Sequence, residues 1–349
     1  MVQARTALIF TLLPLVLAAC RGKTGTPLVV YSPHGKEMLS AFEKEYEALH
    51  PDQDVRWLDM GSQDALDRIR SERQNPQADV WWGGPMTMFS KASAEGLLEL
   101  YIPTWDSAVG SGFKSREGTW YGTFITPDVI VYNNALLRPE EAPQDWDDLL
   151  DRRWKGKIVI RSPLASGTMR TVICCLIQRQ VEQRGDVDAG LAWLRRLDAN
   201  TKAYAADPTQ LYLKIARQEG AVTLWDLPDI LMQVQVNGYP FGYILPASGT
   251  PLITDAIALL HGSKHPAEAR QFYEFVTSRE SMLRQAKDFY RIPTRNDLPG
   301  KDLPSWLRGL DLRPFPVNFD TLAAHEQEWM RRWDDEVRGK GESEPFGQQ

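Results

Sequence analysis

Three short stretches place glycine and hydroxyl residues where a helix is about to begin: Ser32-Pro33-His34-Gly35, Gly61-Ser62 and Ser166-Gly167-Thr168. The first N–H groups of a helix have no intrahelical partner and carry partial positive charge, so they attract phosphate, phosphonate or carboxylate. Hydroxyls beside them add donors, and Gly35, Gly61 and Gly167 allow close approach of a ligand to the backbone. The same Ser and Thr residues are also ordinary helix caps. The anion reading gains weight because stretches from two distant parts of the chain offer the same chemistry. His34 supplies either a pH-dependent donor or a structural ring, and Lys36 is expected to point to solvent.

A second group sits at the ends of strand-like runs. Trp82-Gly83 closes Ala78 to Trp82, and Trp225-Asp226 closes Ala221 to Leu224. Asp226 either accepts hydrogen bonds from ligand hydroxyls or caps the helix that begins at Leu227. Trp82 and Trp225 either stack on a sugar face or fill the core. Asp207, before Pro208, reads first as a cap and second as a ligand acceptor. The sequence holds no Gly-x-Ser-x-Gly elbow, Walker loop, dinucleotide glycine fingerprint or His-Glu-x-x-His, and His325-Glu326 lacks the second His. No catalytic residue, cofactor or metal is therefore expected. A hydrolase without a recognised motif is the rival class.

Alternating elements must position these residues. Leu28-Val29-Val30-Tyr31, Asp54 to Leu58 and Ala78 to Trp82 read as strands separated by helices, the first of which carries Leu39, Phe42, Tyr46 and Leu49 at helical spacing. Strand–helix alternation with short turns predicts a parallel sheet whose carboxyl ends face a ligand crevice. Tyr121 to Ile125 and Val129 to Tyr132 are strand-like and separated by Thr126-Pro127-Asp128. A second alternating set begins at Ile158, and Leu252 to Leu259 reads as a return strand. The final helix spaces Trp329, Trp333 and Val337 four apart. The economical topology is one lobe (27–125 and 252–349) interrupted by another (126–251), with two crossing strands. Two independent domains in series are the alternative.

The ends and the composition set the compartment. Ala7 to Ala19 is an apolar run preceded by Arg5 and closed by Leu17-Ala18-Ala19-Cys20. That is the layout of a secretory signal over 1–19, and the residues leading into Cys20 resemble a bacterial lipobox. Acylation of Cys20 is expected to anchor the chain to a membrane through the polar linker 20–26, at the periplasm or cell surface. The formal charge is −6 with no basic stripe, which argues against nucleic acid as a partner. Cys174 and Cys175 lie in an apolar run and read as small buried hydrophobes.

Taken together, Tyr31-Ser32-Pro33-His34-Gly35-Lys36, Ala78-Asp79-Val80-Trp81-Trp82-Gly83-Gly84, Val129-Ile130-Val131-Tyr132-Asn133, Pro251 to Ala258 and Tyr290-Arg291-Ile292-Pro293-Thr294-Arg295 resemble bacterial periplasmic solute-binding proteins. The likeness covers most of 27–338 and is closest to the group of ferric-iron, sugar-phosphate and phosphonate binders. The resemblance implies an α/β fold of two Rossmann-like lobes joined by two hinge strands, capture of a small ligand by hinge closure, and delivery to an ABC permease and ATPase by a monomer. The iron-binding branch carries adjacent tyrosines where this chain has Trp225-Asp226, which favours an organic anion over ferric iron. A binding protein serving as a sensor or carrier for another ligand is the further alternative.

Overall fold

The computed structural model describes residues 27–340; the expected signal, the Cys20 anchor and the linker lie outside the described residues. In the amino-terminal region β1 (Leu28–Ser32), α1 (Lys36–Leu49), β2 (Val55–Asp59), α2 (Ser62–Ser71), β3 (Val80–Pro85) and α3 (Met86–Ala94) alternate as the sequence pattern predicts. β1 pairs in parallel with both β2 and β3. α1 buries Met38, Leu39, Phe42 and Tyr46, whereas Leu49, expected on the same face, is exposed. It sits in the last turn, beyond the edge of the sheet-facing stripe.

β4 (Tyr121–Asn133) is one continuous strand where the sequence suggested two. Its first half pairs antiparallel with β9 (Leu252–Leu259), from Tyr121↔Ile257 to Pro127↔Leu252. Its second half pairs antiparallel with β7 (Val222–Asp226) on one edge and β8 (Phe241–Ile244) on the other. Pro127 has no N–H to donate, and it stands where the strand changes partners, so the missing donor interrupts neither ladder.

Between the halves lie β5 (Ile158–Arg161), α4 (Gly167–Arg184), α5 (Val187–Asn200), β6 (Thr201–Ala205), α6 (Pro208–Ala216) and α7 (Leu227–Asn237). The strand order is β2-β1-β3-β9-β4-β7-β5-β6. One lobe is therefore built on β2-β1-β3-β9 with the first half of β4, and the other on the second half of β4 with β7-β5-β6. Cys174 and Cys175 are buried in α4, within the second lobe's core.

After β9 the chain forms α8 (Pro266–Val276), α9 (Arg279–Asp288) and β10 (Ile292–Pro293), all on the first lobe. It then passes α10 (Ser305–Arg308) and reaches the second lobe. Thr250 bridges Pro314, and Phe315 packs beside Trp146. α11 (Phe319–Glu336) buries Leu322, Trp329, Met330 and Trp333 in the second lobe's core, with Val337 beside them. Each such side chain contributes roughly 1.5–3 kcal/mol by burial. The sequence expectation assigned all of 252–349 to the first lobe. Helical spacing identified α11's apolar face correctly but carried no information about which core receives it.

Asp128 lies at the crossing and is fully buried, and neither carboxylate oxygen finds a partner among the described residues. Burial, reinforced by Asp226 and Asp255, pushes its carboxyl well above the usual range. The folded state therefore holds a proton that the unfolded chain releases above about pH 3.8. Stability from this group is complete below that pH and is lost as pH rises. Asp128→Asn is expected to stabilise the protein at pH 7 by on the order of 1–3 kcal/mol, with the gain vanishing near pH 3.5. Urea denaturation at the two pH values checks this; an equal effect at both removes the assignment.

Candidate functional site

The carboxyl ends of β1, β2, β5, β6 and β7 and the turns that follow them open onto one cleft between the lobes, with a cavity volume of about 630 Å³. That size falls in the range of roughly 300–1,000 Å³ typical of small-molecule sites. Of the residues expected from the sequence, His34, Gly35, Gly61, Ser62, Ser166, Thr168, Asp207, Trp225 and Asp226 line it.

Four expected residues stand behind the wall instead. Ser32 is fully buried, and its hydroxyl accepts the His34 N–H at 3.2 Å, which holds the turn. Trp82 fills the first lobe's core, edge-on to His34 and Phe42. Gly83, at φ +105°, passes beneath the imidazole. Gly167 faces the other lobe: a Cβ there would stand 2.6 Å from Ser62 Oγ. In each case the position on the turn is right, but side-chain direction and lobe contact were not encoded in local spacing.

The capping and lining roles coincide. Ser166 accepts from Met169 N at 3.1 Å, Asp207 from Gln210 N at 2.8 Å and Asp226 from Asp229 N at 2.9 Å, and all three also line the cleft. Trp225 is buried and donates its indole N–H to the Tyr212 hydroxyl at 2.9 Å, which in turn donates to Asp229 at 3.0 Å. Lys36 stands at the rim with its side chain 77% exposed, as expected.

Each lobe brings both signs of charge to the cleft, which local spacing in the sequence did not reveal. At the first lobe's turns, the chain supplies its own anions. Gly35 N–H donates to Asp59, and Asp64 lies in the first turn of α2. Burial, with Asp229 and Glu37 nearby, raises the Asp59 carboxyl above its usual range. The second lobe presents a cation. Arg161, the last residue of β5, is 4% exposed and donates from Nη1 to the Ala205 carbonyl at 3.2 Å, while its Nε–H has no acceptor among the described residues. Burial lowers its pKa, an effect opposed by Asp207, Asp64 and Tyr212. Ser166 and Thr168, at the start of α4, line the cleft along with it.

A second buried arginine enters from the first lobe. Arg291 donates to Asp229 Oδ1 at 3.1 Å, lies over the Phe124 ring at 5.1 Å, and leaves its Nε–H without a partner among the described residues. Around it are Asp226, whose carboxyl burial pushes well up with help from Asp229, and Asp255, raised by burial against the pull of Thr126, Arg291 and Gly84. His34 is held neutral: burial first, then Arg291, depresses its pKa well below the ordinary value. It therefore faces the cleft as a neutral ring and not as the pH-dependent cation that the sequence allowed.

Arg161, Arg291, Asp59, Tyr212, Asp229 and Asp255 escaped the sequence reading. A signal existed for two of them. Arg161 and Asp59 are the last residues of parallel strands, the edge where such sheets bind ligands. Arg291, between α9 and β10, and Asp229, in the first turn of α7, carry no local signature.

A model for "Bacterial extracellular solute-binding protein" matches residues 78–308. The chain belongs to that family. A Sinorhizobium fredii relative named as an ABC transporter periplasmic-binding protein, y4fP, is 27% identical over 344 residues, covering 96% of this chain and 93% of the relative. A Salmonella typhimurium periplasmic protein named for 2-aminoethylphosphonate binding is 28% identical over 294 residues, covering 80% of this chain and 82% of its own. The solved periplasmic binding protein AfuA of Actinobacillus pleuropneumoniae, with fructose-6-phosphate bound, superposes with a TM-score of 0.78 at 24% identity, covering 89% of this chain and 98% of that one. The solute-binding protein thus has the two-lobed periplasmic-binding-protein fold, and its family serves ABC importers, with a small ligand and a permease–ATPase pair as partners. Among the described residues, no helix is long and apolar enough to cross a membrane.

Gly83 tests the placement of His34. A Cβ there would approach the imidazole to 2.3 Å at a φ that disfavours side chains. Gly83→Ala is expected to destabilise the solute-binding protein by about 2–4 kcal/mol, measured by urea denaturation. A wild-type midpoint would show that the His34 turn is free to move.

Proposed function

We propose that this solute-binding protein captures a small organic phosphate or phosphonate for an ABC importer by closing its lobes. The observation that carries this reading is Arg161: a buried guanidinium at a strand end, with a free Nε–H, lining the cleft together with the helix start that bears Ser166 and Thr168. A guanidinium, hydroxyls and helix N–H groups together match the planar, multidentate demand of a phosphoryl group. The cleft's carboxylates support a second feature. Asp59, Asp226, Asp229 and Asp255 suit a ligand whose other end donates hydrogen bonds, through sugar hydroxyls or an ammonium. Two of the similar proteins have names that describe these two kinds of molecule, 2-aminoethylphosphonate and fructose-6-phosphate, while others are named for iron.

Ferric iron fits less well. The cleft has two phenols, Tyr212 and Tyr239, which are not adjacent in the chain; Tyr212 donates to Asp229 and burial raises its pKa well above its ordinary value, and two buried guanidinium groups would repel a trivalent cation. Binding without turnover separates this reading from a hydrolase.

Calorimetric titration with 2-aminoethylphosphonate, fructose 6-phosphate, glucose 6-phosphate and ferric citrate is the direct test. At least one phosphorus-bearing ligand is expected to bind and be recovered unchanged. Arg161→Met should weaken it by roughly 10- to 100-fold, the loss of one charged hydrogen-bonding partner. Saturation by ferric citrate alone, turnover of a phosphate ester, or an unaltered affinity in Arg161→Met would each overturn the assignment.

The reading includes an anchor at Cys20, supported by the small residues that precede it. The expressed protein should incorporate labelled palmitate and sediment with membranes, and Cys20→Ser should abolish both. Palmitate-free wild-type protein would refute acylation.

A further inference from the structure

α11 is a second-lobe helix by its packing, yet it reaches back to the first lobe. Glu326 sits in the middle of this helix and is fully buried. Its carboxylate pairs with Lys91 Nζ on α3, a helix whose Met88, Phe89 and Ala92 belong to a first-lobe core. On the other side of Glu326, Arg170 Nε of α4 stands 3.9 Å away. The buried carboxylate therefore lies between one cation from each lobe. Lys91 is the only one of these two that crosses the divide, since α4 and α11 share a core.

The crossing coincides with a close approach of the lobes. A Cβ on Gly61 would stand 2.6 Å from the Ala165 carbonyl, and one on Gly167 would stand 2.7 Å from Met88 Cε. Met88 and Lys91 lie one helical turn apart on α3, and Gly167 and Arg170 one turn apart on α4. The ion pair thus sits directly behind the contact between the Gly61-Ser62 and Ser166-Gly167 turns. None of Lys91, Arg170 and Glu326 lines the cleft.

We propose that Lys91 and Glu326 form an inter-lobe latch, through which α11 holds the two cleft-lining turns together on one flank independently of any ligand. The physical case rests on burial. A carboxylate removed from water is strongly unfavourable without a partner, so separating Lys91 from Glu326 must leave Arg170, at the longer distance, as the remaining compensation. Lobe separation on this flank is therefore resisted by charge as well as by packing. The latch is made of the protein's own groups and holds whatever solute the cleft takes.

The experiment uses the full chain without added solute. Amide hydrogen exchange over 61–65 and 166–170, together with the radius of gyration from small-angle scattering, is compared among wild type, Lys91→Met, Glu326→Gln and the double variant. Lys91→Met keeps the aliphatic stem and leaves Glu326 with Arg170. It is expected to accelerate exchange in both turns on the order of tenfold and to enlarge the radius of gyration, while exchange in β5 and β6 stays at the wild-type rate. Glu326→Gln should do the same, and the double variant should be no worse than either single one, because both remove one interaction. Wild-type exchange in Lys91→Met, additive effects in the double variant, or loosening that spreads through β5 and β6 would each overturn the latch.

Discussion

Everything in this molecule hangs on the antiparallel pairing of β4 with β9. β9 pairs with β3 and the first half of β4, so it closes the first lobe's sheet. The same β4 then continues into the second lobe as the partner of β7 and β8. A strand held by different neighbours at its two ends can bend between them without breaking either ladder. Pro127 marks the change of partner and Asp128 follows it, with a buried carboxyl that no group among the described residues satisfies. Hinge strands of this type fix the lobes' relative register while leaving their angle soft, which is the mechanical requirement for domain closure around a ligand.

The cleft that results is electrically mixed. Helix starts face it from both lobes, and guanidinium groups stand beside two of them: Arg161 near the start of α4 and Arg291 against Asp229 in the first turn of α7. At α1 and α2 the chain's own carboxylates, Asp59 and Asp64, occupy the same region. Donor-rich and acceptor-rich corners thus lie within one cleft: Arg161 with Ser166 and Thr168 in one, and Asp226, Asp229 and Asp255 around Arg291 in the other. A binding protein needs such asymmetry to orient its solute, because a uniformly donating cleft would bind an anion in many poses. Burial sharpens the contrast, since it raises Asp59, Asp226 and Asp255 and keeps His34 neutral, leaving Arg161, Arg291 and the rim residue Lys36 as the cleft's cations.

The carboxy-terminal path alters the usual picture of a two-strand hinge. From Arg295, which bridges Val109, the chain travels through α10 to Pro314, which bridges Thr250. α11 then fills out the second lobe's core while Glu326 meets Lys91 of the first. The lobes are consequently tied by two strands, a connecting segment and two ion pairs, Lys91–Glu326 on one flank and Arg291–Asp229 across the cleft, each with different stiffness. The strands resist shear, the segment resists little, and the Lys91–Glu326 pair resists separation on its own flank.

Most of the element order was legible in the sequence, because strands and helices announce themselves through local periodicity. The hydrophobic run at 252–259, the stripe Trp329, Trp333, Val337 and the glycine- and serine-bearing turns all appear in the structure as that periodicity indicates. Leu49 and the β4 break were misjudged for local reasons: a helix end reaches past its sheet, and a proline is harmless where a ladder changes partner. The cleft was legible in part. Its turns follow from strand–helix order, and so Gly35, Gly61, Ser166, Asp207 and Asp226 were found, whereas Arg291 and Asp229 come together across the cleft from 62 positions apart. The sequence by itself determined the elements, their alternation and the family's two-lobed plan, since these depend on residues within a turn or two of each other. Only the tertiary structure decided which lobe receives α11, how charge is distributed around the cleft and which side chains turn inward, because each is settled by contacts between distant segments that no local pattern records.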